Sequence, residues 1–282
     1  MEQIFRPFVV VVLAEMMFAM GLRLDFSGLR NSLSVSPGLV LRAMLINFLG
    51  VPALTLLLVM VAQLPPMTAA ALLILAAAPG APYVPPFTLY ARGNFRLSVG
   101  LMVLLAGSSA LFTPLILSLL IPVGTGGPGV TIDTVPLTGT LFAVQLLPLC
   151  LGMALRQWRP NLAARFEKPA VTASKVLNAL MVIGILLLQY RQAAMVSLPL
   201  LLVIILLLPV SAWAGWLAGG SDRSDRKALG ISTALRNMSL GMVIASGSFA
   251  GTAVLPAILV AAVVTGTGLL ALAHLWRRNS VG

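Results

Sequence analysis

The chain has 282 residues, of which 59% are hydrophobic and only 9% are charged, and its mean hydropathy is +1.04. Charged residues make up about a quarter of an ordinary soluble domain, so this composition excludes a soluble globule with a polar surface. A formal net charge of +11 would suit a nucleic-acid surface if the basic residues were clustered, but they are spread over many connections. We therefore expect a multi-pass membrane protein that contacts lipid and binds no nucleic acid.

Nine apolar segments reach or approach the length of about 20 helical residues that a bilayer core of about 30 Å requires. They leave no room for a soluble domain of useful size. The predicted fold class is an all-α polytopic membrane protein with nine transmembrane helices. The segments are residues 5–23, 37–62, 67–91, 97–121, 136–157, 170–190, 197–219, 227–248 and 253–276.

The longest connection, residues 122–135, is rich in glycine and proline and predicts a flexible linker. It separates four predicted helices from five. We expect residues 1–121 to form a first repeat of four helices and residues 169–282 to form a second. Between the linker and the second repeat, residues 136–168 are predicted to form the fifth helix and a basic loop.

The basic connections alternate with connections that contain no lysine or arginine, which are residues 63–66, 122–135 and 249–252. Because basic connections remain in the cytoplasm, this alternation predicts an outside N-terminus and an inside C-terminus. The basic set comprises residues 24–36 with the preceding Arg23, 92–96, 156–168, 220–227 and the C-terminal tail with Arg277 and Arg278.

Two apolar segments are interrupted, at residues 78–86 and 232–241. Lipid cannot bond the N–H and C=O groups that a break frees, so a broken helix persists at membrane depth only where protein or a wet cavity satisfies them. The breaks lie at similar distances from the ends of the fourth and ninth helices, which predicts inverted repeats with two crossing broken helices. The predicted helix-breaking residues of the first interruption are Pro79, Gly80, Pro85 and Pro86.

Several residues in and near the breaks, most of them polar, are candidates for contact with a substrate. Arg236 lies deep in its segment, which favours a cavity-facing role over a structural side chain that reaches toward the interface. Asn237 is expected either to cap the second half-helix or to touch substrate. The substrate-binding candidates are Pro82, Tyr83, Thr233, Arg236 and Asn237.

Glu15 lies about halfway along the first predicted helix, where an intramembrane carboxylate is a functional candidate. It is expected to serve in coupling, to be a protonated core residue, or to pair with Arg236. Asn47 and Asn178 lie in the middle of apolar segments, and we expect their amides to bridge neighbouring helices.

Residues 17–24 (MFAMGLRL), 78–80, 90–94 and 97–99 resemble the bile acid:sodium symporter family, and the similarity runs nearly end to end. The resemblance implies a core domain and a panel domain, in the nine-helix form of a fold that otherwise has ten helices. It also implies sodium-coupled secondary transport. The implied substrates are bile acids, other steroid conjugates, or small carboxylates such as keto acids.

The sequence departs from the family at most oxygen side chains that would bind two sodium ions. Only Asn47 and Ser98 keep such oxygens. The departures argue against the usual sodium sites and leave Glu15, Asn47, Ser98 and Ser232 as candidates for a coupling site or a vestigial ion site. The family's serine and asparagine correspond to Val84 and Pro85, a threonine to Met102, and a glutamate and glutamine to Ser232 and Arg236.

An intramembrane enzyme would need a nucleophile with its base, paired aspartates or a metal-ligating set, and the predicted helices contain none of these. We expect a secondary transporter of organic anions, bile-acid-like or small carboxylates, that works by alternating access without a cofactor or a structural metal. Na+ and H+ are the candidate coupling ions. The alternatives are a proton-coupled or uncoupled carrier of the same fold, and a non-transport receptor or channel. The expected location is a bacterial inner membrane.

Overall fold

The computed structural model describes residues 2–34, 37–127, 132–194 and 197–278, and all regular structure in these ranges is helical. The predicted linker 122–135 therefore lies partly outside the described residues. The helices, with two π-helical turns named π1 and π2, are α1 (Glu2–Gly21), α2 (Phe26–Ser34), α3 (Pro37–Leu45), π1 (Ile46–Gly50), α4 (Val51–Val61), α5 (Pro66–Ala76), α6 (Val84–Tyr90), α7 (Phe95–Gly124), α8 (Thr134–Leu141), π2 (Phe142–Leu146), α9 (Leu147–Trp158), α10 (Pro160–Ala194), α11 (Leu198–Ala218), α12 (Arg223–Ala234), α13 (Met238–Ser248) and α14 (Val254–Arg278).

Each predicted apolar segment contains helix, but two predicted connections are helical as well. Helix α2 occupies most of the connection after α1, and the predicted basic loop 156–168 is interrupted only at Arg159. Pro160 suits the first position of α10, where a backbone N–H would have no helical partner. The expectation of a loop was wrong here because lysine, arginine and glutamate are good helix formers.

Six of the described helical stretches are long and apolar enough to cross a membrane. A seventh is obtained if residues 7–21 and 26–32, which meet at a bend of 77°, form one span. The predicted number of nine spans is not confirmed by this criterion. The six stretches are Pro37–Val61, Phe95–Gly124, Thr134–Trp158, Leu198–Ala218, Arg223–Ser248 and Val254–Arg278.

Both predicted helix breaks are present. The first separates α5 from α6, and its Gly80 has a φ of +81°, a conformation in which a side chain is strained. A Cβ atom at this position would also overlap the backbone of Ala106 on α7. The second break separates α12 from α13, and the N–H of Asn237 donates to the Ala78 carbonyl across a distance of 2.8 Å. The two breaks therefore touch each other.

The broken helices lie in the interior. Residues 227–234 of α12 and 239–246 of α13 are buried, as are residues 69–78 of α5 and its break. Helix α11 packs against α12 and helix α14 against α5, while α1 packs against α9 and α10. Many apolar side chains instead point outward, including Leu119 and Leu187 with 70% and 73% exposure. Such an outer surface is suited to lipid.

Three of the five basic segments meet. The N–H of Asn94 donates to the Ser224 carbonyl at 2.9 Å, and the Lys227 ammonium donates to the Ala91 carbonyl at 2.9 Å. The Arg277 guanidinium lies 5.1 Å from the centre of the Tyr90 ring. These contacts bring the α6–α7 and α11–α12 connections together with the end of α14. The orientation of the chain in the membrane stays a prediction.

Close packing between α1 and α9 depends on two glycines. A Cβ atom added to Gly152 would lie 2.9 Å from the Cα atom of Gly21 and would overlap the Phe18 carbonyl oxygen. Small residues at such positions let helix backbones approach closely, which is how membrane helices gain packing energy.

We predict that Gly152→Ala destabilises the protein by about 1–3 kcal/mol, because the added methyl group forces α1 and α9 apart. The thermal midpoint of the detergent-purified protein measures this effect. Gly139→Ala is the matched control, since a Cβ atom there has no neighbour within 4 Å. Alanine is the better helix former, so this control should be as stable as wild type or more stable. Equal midpoints for the two variants would contradict the prediction.

Candidate functional site

The guanidinium of Arg236 lies where the two helix breaks meet. This contact region, residues 75–78 and 233–237, is called the crossing. Its Nε donates to the Leu75 carbonyl at 3.1 Å, and one Nη2 bond goes to the Ala76 carbonyl. Asn47 accepts twice, through Oδ1 at 2.8 Å from Nη1 and through its carbonyl at 3.3 Å from Nη2. A longer bond of 3.5 Å reaches the Thr233 carbonyl. Arg236 therefore joins the end of α5 to π1 and to the end of α12.

Two further carbonyls at the start of the first break, those of Ala77 and Ala78, also have donors. The Thr113 hydroxyl on α7 donates to the Ala77 carbonyl at 2.5 Å, and the Ala78 carbonyl accepts the Asn237 N–H. Asn237 also caps α13, because its Oδ1 accepts from the Leu240 N–H at 3.1 Å. The break is thus held entirely by protein groups at these positions, as a buried break requires.

A cleft of about 130 Å³ lies beside the first break, between α1, α6 and α10. Two basic side chains, Arg23 and Lys175, contribute to its lining, and the other lining residues are apolar except for Tyr83 and Ser174. Arg23 also lies 4.0 Å from the Glu167 carboxylate. The full lining is Met16, Ala19, Met20, Arg23, Pro82, Tyr83, Pro86, Val171, Ser174 and Lys175.

Hydrogen bonds connect this cleft to the second broken helix. The Asn178 amide donates to the Tyr83 hydroxyl at 2.9 Å, and its Oδ1 accepts from the Ser239 hydroxyl at 3.5 Å. Asn178 therefore bridges helices, as predicted. On the same face of α10, the Ser174 hydroxyl lies 2.7 Å from one oxygen of Glu15, whose other oxygen is buried with no hydrogen-bond partner in the described ranges.

The structure divides the predicted substrate-binding residues between two places. Pro82 and Tyr83 line the cleft, whereas Thr233, Arg236 and Asn237 are buried in the crossing. Their contact with substrate stays a prediction. The predicted helix-breaking residues are divided in a similar way. Pro79 and Gly80 lie in the first break, while Pro85 and Pro86 lie in the first turn of α6, where proline is tolerated.

The four candidates for a coupling or vestigial ion site have different partners. Asn47 bonds Arg236, and the Ser98 hydroxyl donates to the Phe95 carbonyl at 2.7 Å within its own helix. Ser232 is buried, and its hydroxyl has no partner among the described residues. Glu15 bonds Ser174 and forms no ion pair with Arg236. Their contacts do not bring these residues into one oxygen cluster.

Of the polar residues of the cleft, the sequence analysis missed Ser174 and Lys175 and used Arg23 only as a topology marker. One signal was available, because Lys175 lies inside the apolar segment predicted for residues 170–190. A charge within such a segment is a functional candidate by default. The donor from Thr113 had no comparable signal, since a hydroxyl in a membrane helix usually bonds its own backbone.

Two broken helices that meet inside a bundle, beside a cleft and under an apolar outer surface, are typical of secondary membrane transporters. Sequence comparison agrees with this class. The chain belongs to the sodium bile acid symporter family, whose profile matches residues 10–211. It is a membrane transporter and not an enzyme.

Two plant proteins are among its curated relatives. The probable sodium/metabolite cotransporter BASS1 of Arabidopsis thaliana, a chloroplastic protein, is 26% identical over 275 residues, which are 96% of this chain and 67% of the relative. The protein of the same name from Oryza sativa subsp. japonica is 26% identical over 244 residues, 85% of this chain and 58% of the relative. The matched region thus leaves a third or more of each relative uncovered.

We predict that the bond between Tyr83 and Asn178 contributes about 0.6 kcal/mol, a typical value for such a bond between membrane helices. A double-mutant cycle with Tyr83→Phe and Asn178→Leu, followed by reversible unfolding in mixed detergent, measures the coupling. Tyr90→Phe serves as the control partner, because its hydroxyl bonds His274 instead, at 3.0 Å. The Tyr90 and Asn178 substitutions should be additive. Additivity for both pairs would show that the bond contributes nothing.

Proposed function

We propose that this transporter carries small organic anions across the membrane by alternating access, with the cleft beside the first break as its substrate site. The observation that supports this function is the position of Arg23 and Lys175 at a cleft whose other walls are largely apolar. Basic groups attract a carboxylate, and apolar walls accept a hydrocarbon portion. The names of the relatives, which refer to metabolites, agree with this class of substrate.

The size of the cleft favours a small carboxylate over a bile acid. Pockets that hold drug-sized ligands enclose about 300–1,000 Å³, whereas this cleft encloses about 130 Å³. A molecule of the size of a keto acid or of pantoate is the better match. The polar groups at Tyr83 and Ser174 would fix its orientation.

Alternating access requires two bodies that move against each other around the site. We propose that the crossed breaks belong to one body, because Arg236 and Asn237 bond them together. The cleft lies where α1 and α10 face this body, so rocking at this boundary would open and close it. We further propose nine spans in two inverted repeats, with α5 and α6 forming one broken span.

Glu15 is the candidate proton carrier of this site. It neighbours the cleft through Ser174, and one of its oxygens is buried without a partner in the part of the chain that the structure describes. A carboxyl group in this setting is best accommodated in its protonated form. Opening of the cleft to either side would allow it to exchange that proton.

Uptake into proteoliposomes tests the substrate site, with labelled pyruvate, pantoate and taurocholate as probes. We predict saturable uptake of a small carboxylate and an increase in its KM on the order of tenfold in Lys175→Gln, because a charge-assisted contact is lost. Lys168→Gln is the matched control, since Lys168 is an exposed residue of the same helix that does not line the cleft. Equal KM values for the two variants would place the site elsewhere.

Labelling with a membrane-impermeant maleimide tests the proposed orientation. In a Cys150→Ala background, which removes the only native cysteine, we expect Val135→Cys to react from outside the cell and Arg223→Cys only from inside. Both positions are exposed, and they lie in connections of opposite charge character. Labelling of both positions from the same side would contradict the topology. Labelling of Val135→Cys only from inside and of Arg223→Cys from outside would show the reverse orientation.

A further inference from the structure

Arg236 carries a buried charge that is not neutralised by any carboxylate among the described residues. The ion pairs among the described residues join Glu167 to Arg23 and to Arg156. All partners of the Arg236 guanidinium are neutral oxygens, and its side chain is only 5% exposed. Such a charge is costly unless its surroundings supply compensating negative potential.

The compensation comes from two half-helix ends. Helix α5 ends at Ala76 and helix α12 at Ala234, and carbonyls from the last turn of both accept bonds from Arg236. Each helix C-terminus carries about half a negative elementary charge, so the two together offset roughly one positive charge. The five N–H groups of the guanidinium match five oxygens, those of Leu75, Ala76 and Thr233 and two of Asn47.

Carbonyls at such half-helix ends are the groups that bind Na+ in transporters with broken helices. We propose that the Arg236 side chain is a tethered cation that takes the place of a coupling sodium at this crossing, so that transport by this protein is independent of sodium. This inference rests on the proposed transport function and specifies its coupling. It separates this chain from relatives whose names include sodium.

The residues around the Arg236 guanidinium suit a sodium ion less well than they suit the guanidinium. A hard cation needs several oxygens, commonly with a carboxylate, and a fixed guanidinium repels it. The oxygens of Leu75, Ala76 and Asn47 are already engaged by Arg236. Val84 and Met102, where the family has oxygen side chains, are buried apolar residues. No group of three or more His, Cys, Asp or Glu residues that could hold a metal occurs among the described residues.

Arg236 is also separated from the substrate cleft. A cavity that it lines has a volume of about 30 Å³ and shares no lining residue with the cleft. This volume suits one or two waters and not an organic anion. The guanidinium therefore acts on the crossing itself, by keeping two partially negative helix ends together. Because its charge is covalently attached to the protein, it cannot dissociate and move down an ion gradient.

The first test uses the wild-type protein. Initial uptake of the carried anion should be the same with sodium, potassium or choline outside at fixed pH, and sodium chloride should not raise the thermal midpoint above that in choline chloride. A sodium requirement for uptake, or a specific increase of the midpoint by sodium, would overturn the proposal. If none of the candidate anions is carried, the proposed function fails. The thermal midpoint is measured without substrate, so it still tests in that case whether the protein binds sodium.

The second test removes the tethered charge. Arg236→Ala should lower the thermal midpoint by an amount on the order of 10 °C, and low-millimolar guanidinium chloride should restore part of this loss relative to choline chloride. Arg236→Lys, which keeps the charge with fewer donors, should be intermediate. Arg42→Ala is the control, because Arg42 is exposed and also donates to a backbone carbonyl, that of Ala218 at 3.4 Å. It should show neither the loss nor the rescue.

An unchanged midpoint in Arg236→Ala would contradict the proposal, as would a loss that guanidinium restores no better in this variant than in Arg42→Ala. If Arg236→Ala cannot be purified in folded form, Arg236→Lys and the wild-type sodium measurements decide. In that case the proposal requires Arg236→Lys to fold and to remain insensitive to sodium, and sodium-dependent stability in either protein overturns it.

Discussion

The structure depends on one constraint, which is that the carbonyls freed by a helix break inside the bundle must receive hydrogen bonds from the protein. At the first break the carbonyls of Ala76, Ala77 and Ala78 accept from Arg236, Thr113 and Asn237 in turn. An unsatisfied group in such a position costs several kcal/mol. The donors come from α7 and from the second break, so this requirement also determines which helices lie beside the crossing.

The same requirement explains the charge in the interior. Two half-helix ends that approach each other would repel, since both carry partial negative charge. A cation between them removes the repulsion, and a guanidinium does so with donors in several directions. The basic groups of the cleft are arranged differently, because Lys175 is exposed and Arg23 is partly so. Buried charge thus holds the crossing, while accessible charge is available to a ligand.

Membership of the sodium bile acid symporter family is compatible with this division. The framework of this chain depends on glycines, prolines and small residues that open its helices and let them pack, as at Gly80 and Gly152. The side chains around the Arg236 guanidinium are not part of that framework. If Arg236 fills the role of a bound cation, as proposed above, sodium-binding oxygens can be lost while the fold is retained.

The sequence by itself determined the class of protein, the approximate positions of most of its apolar helices and both breaks. Apolar length, proline and glycine at the first break, and alternating basic connections are local properties, and each depends on interactions between near neighbours or with the solvent. The cap at Asn237 was likewise one of the two roles predicted for that residue, since a cap is a local bond. The helical course of residues 160–168 was not predicted, because charge was taken as a sign of a loop.

Only the tertiary structure decided what the polar residues do. Arg236 and Asn47 are 189 residues apart in sequence, and Ser174 and Glu15 are 159 apart. Nothing local distinguishes an arginine that faces a cavity from one that joins two helix ends, since both require only a basic residue deep in an apolar segment. The difference arises from which carbonyls the folded chain brings within hydrogen-bonding distance of the guanidinium, and that depends on how the helices pack.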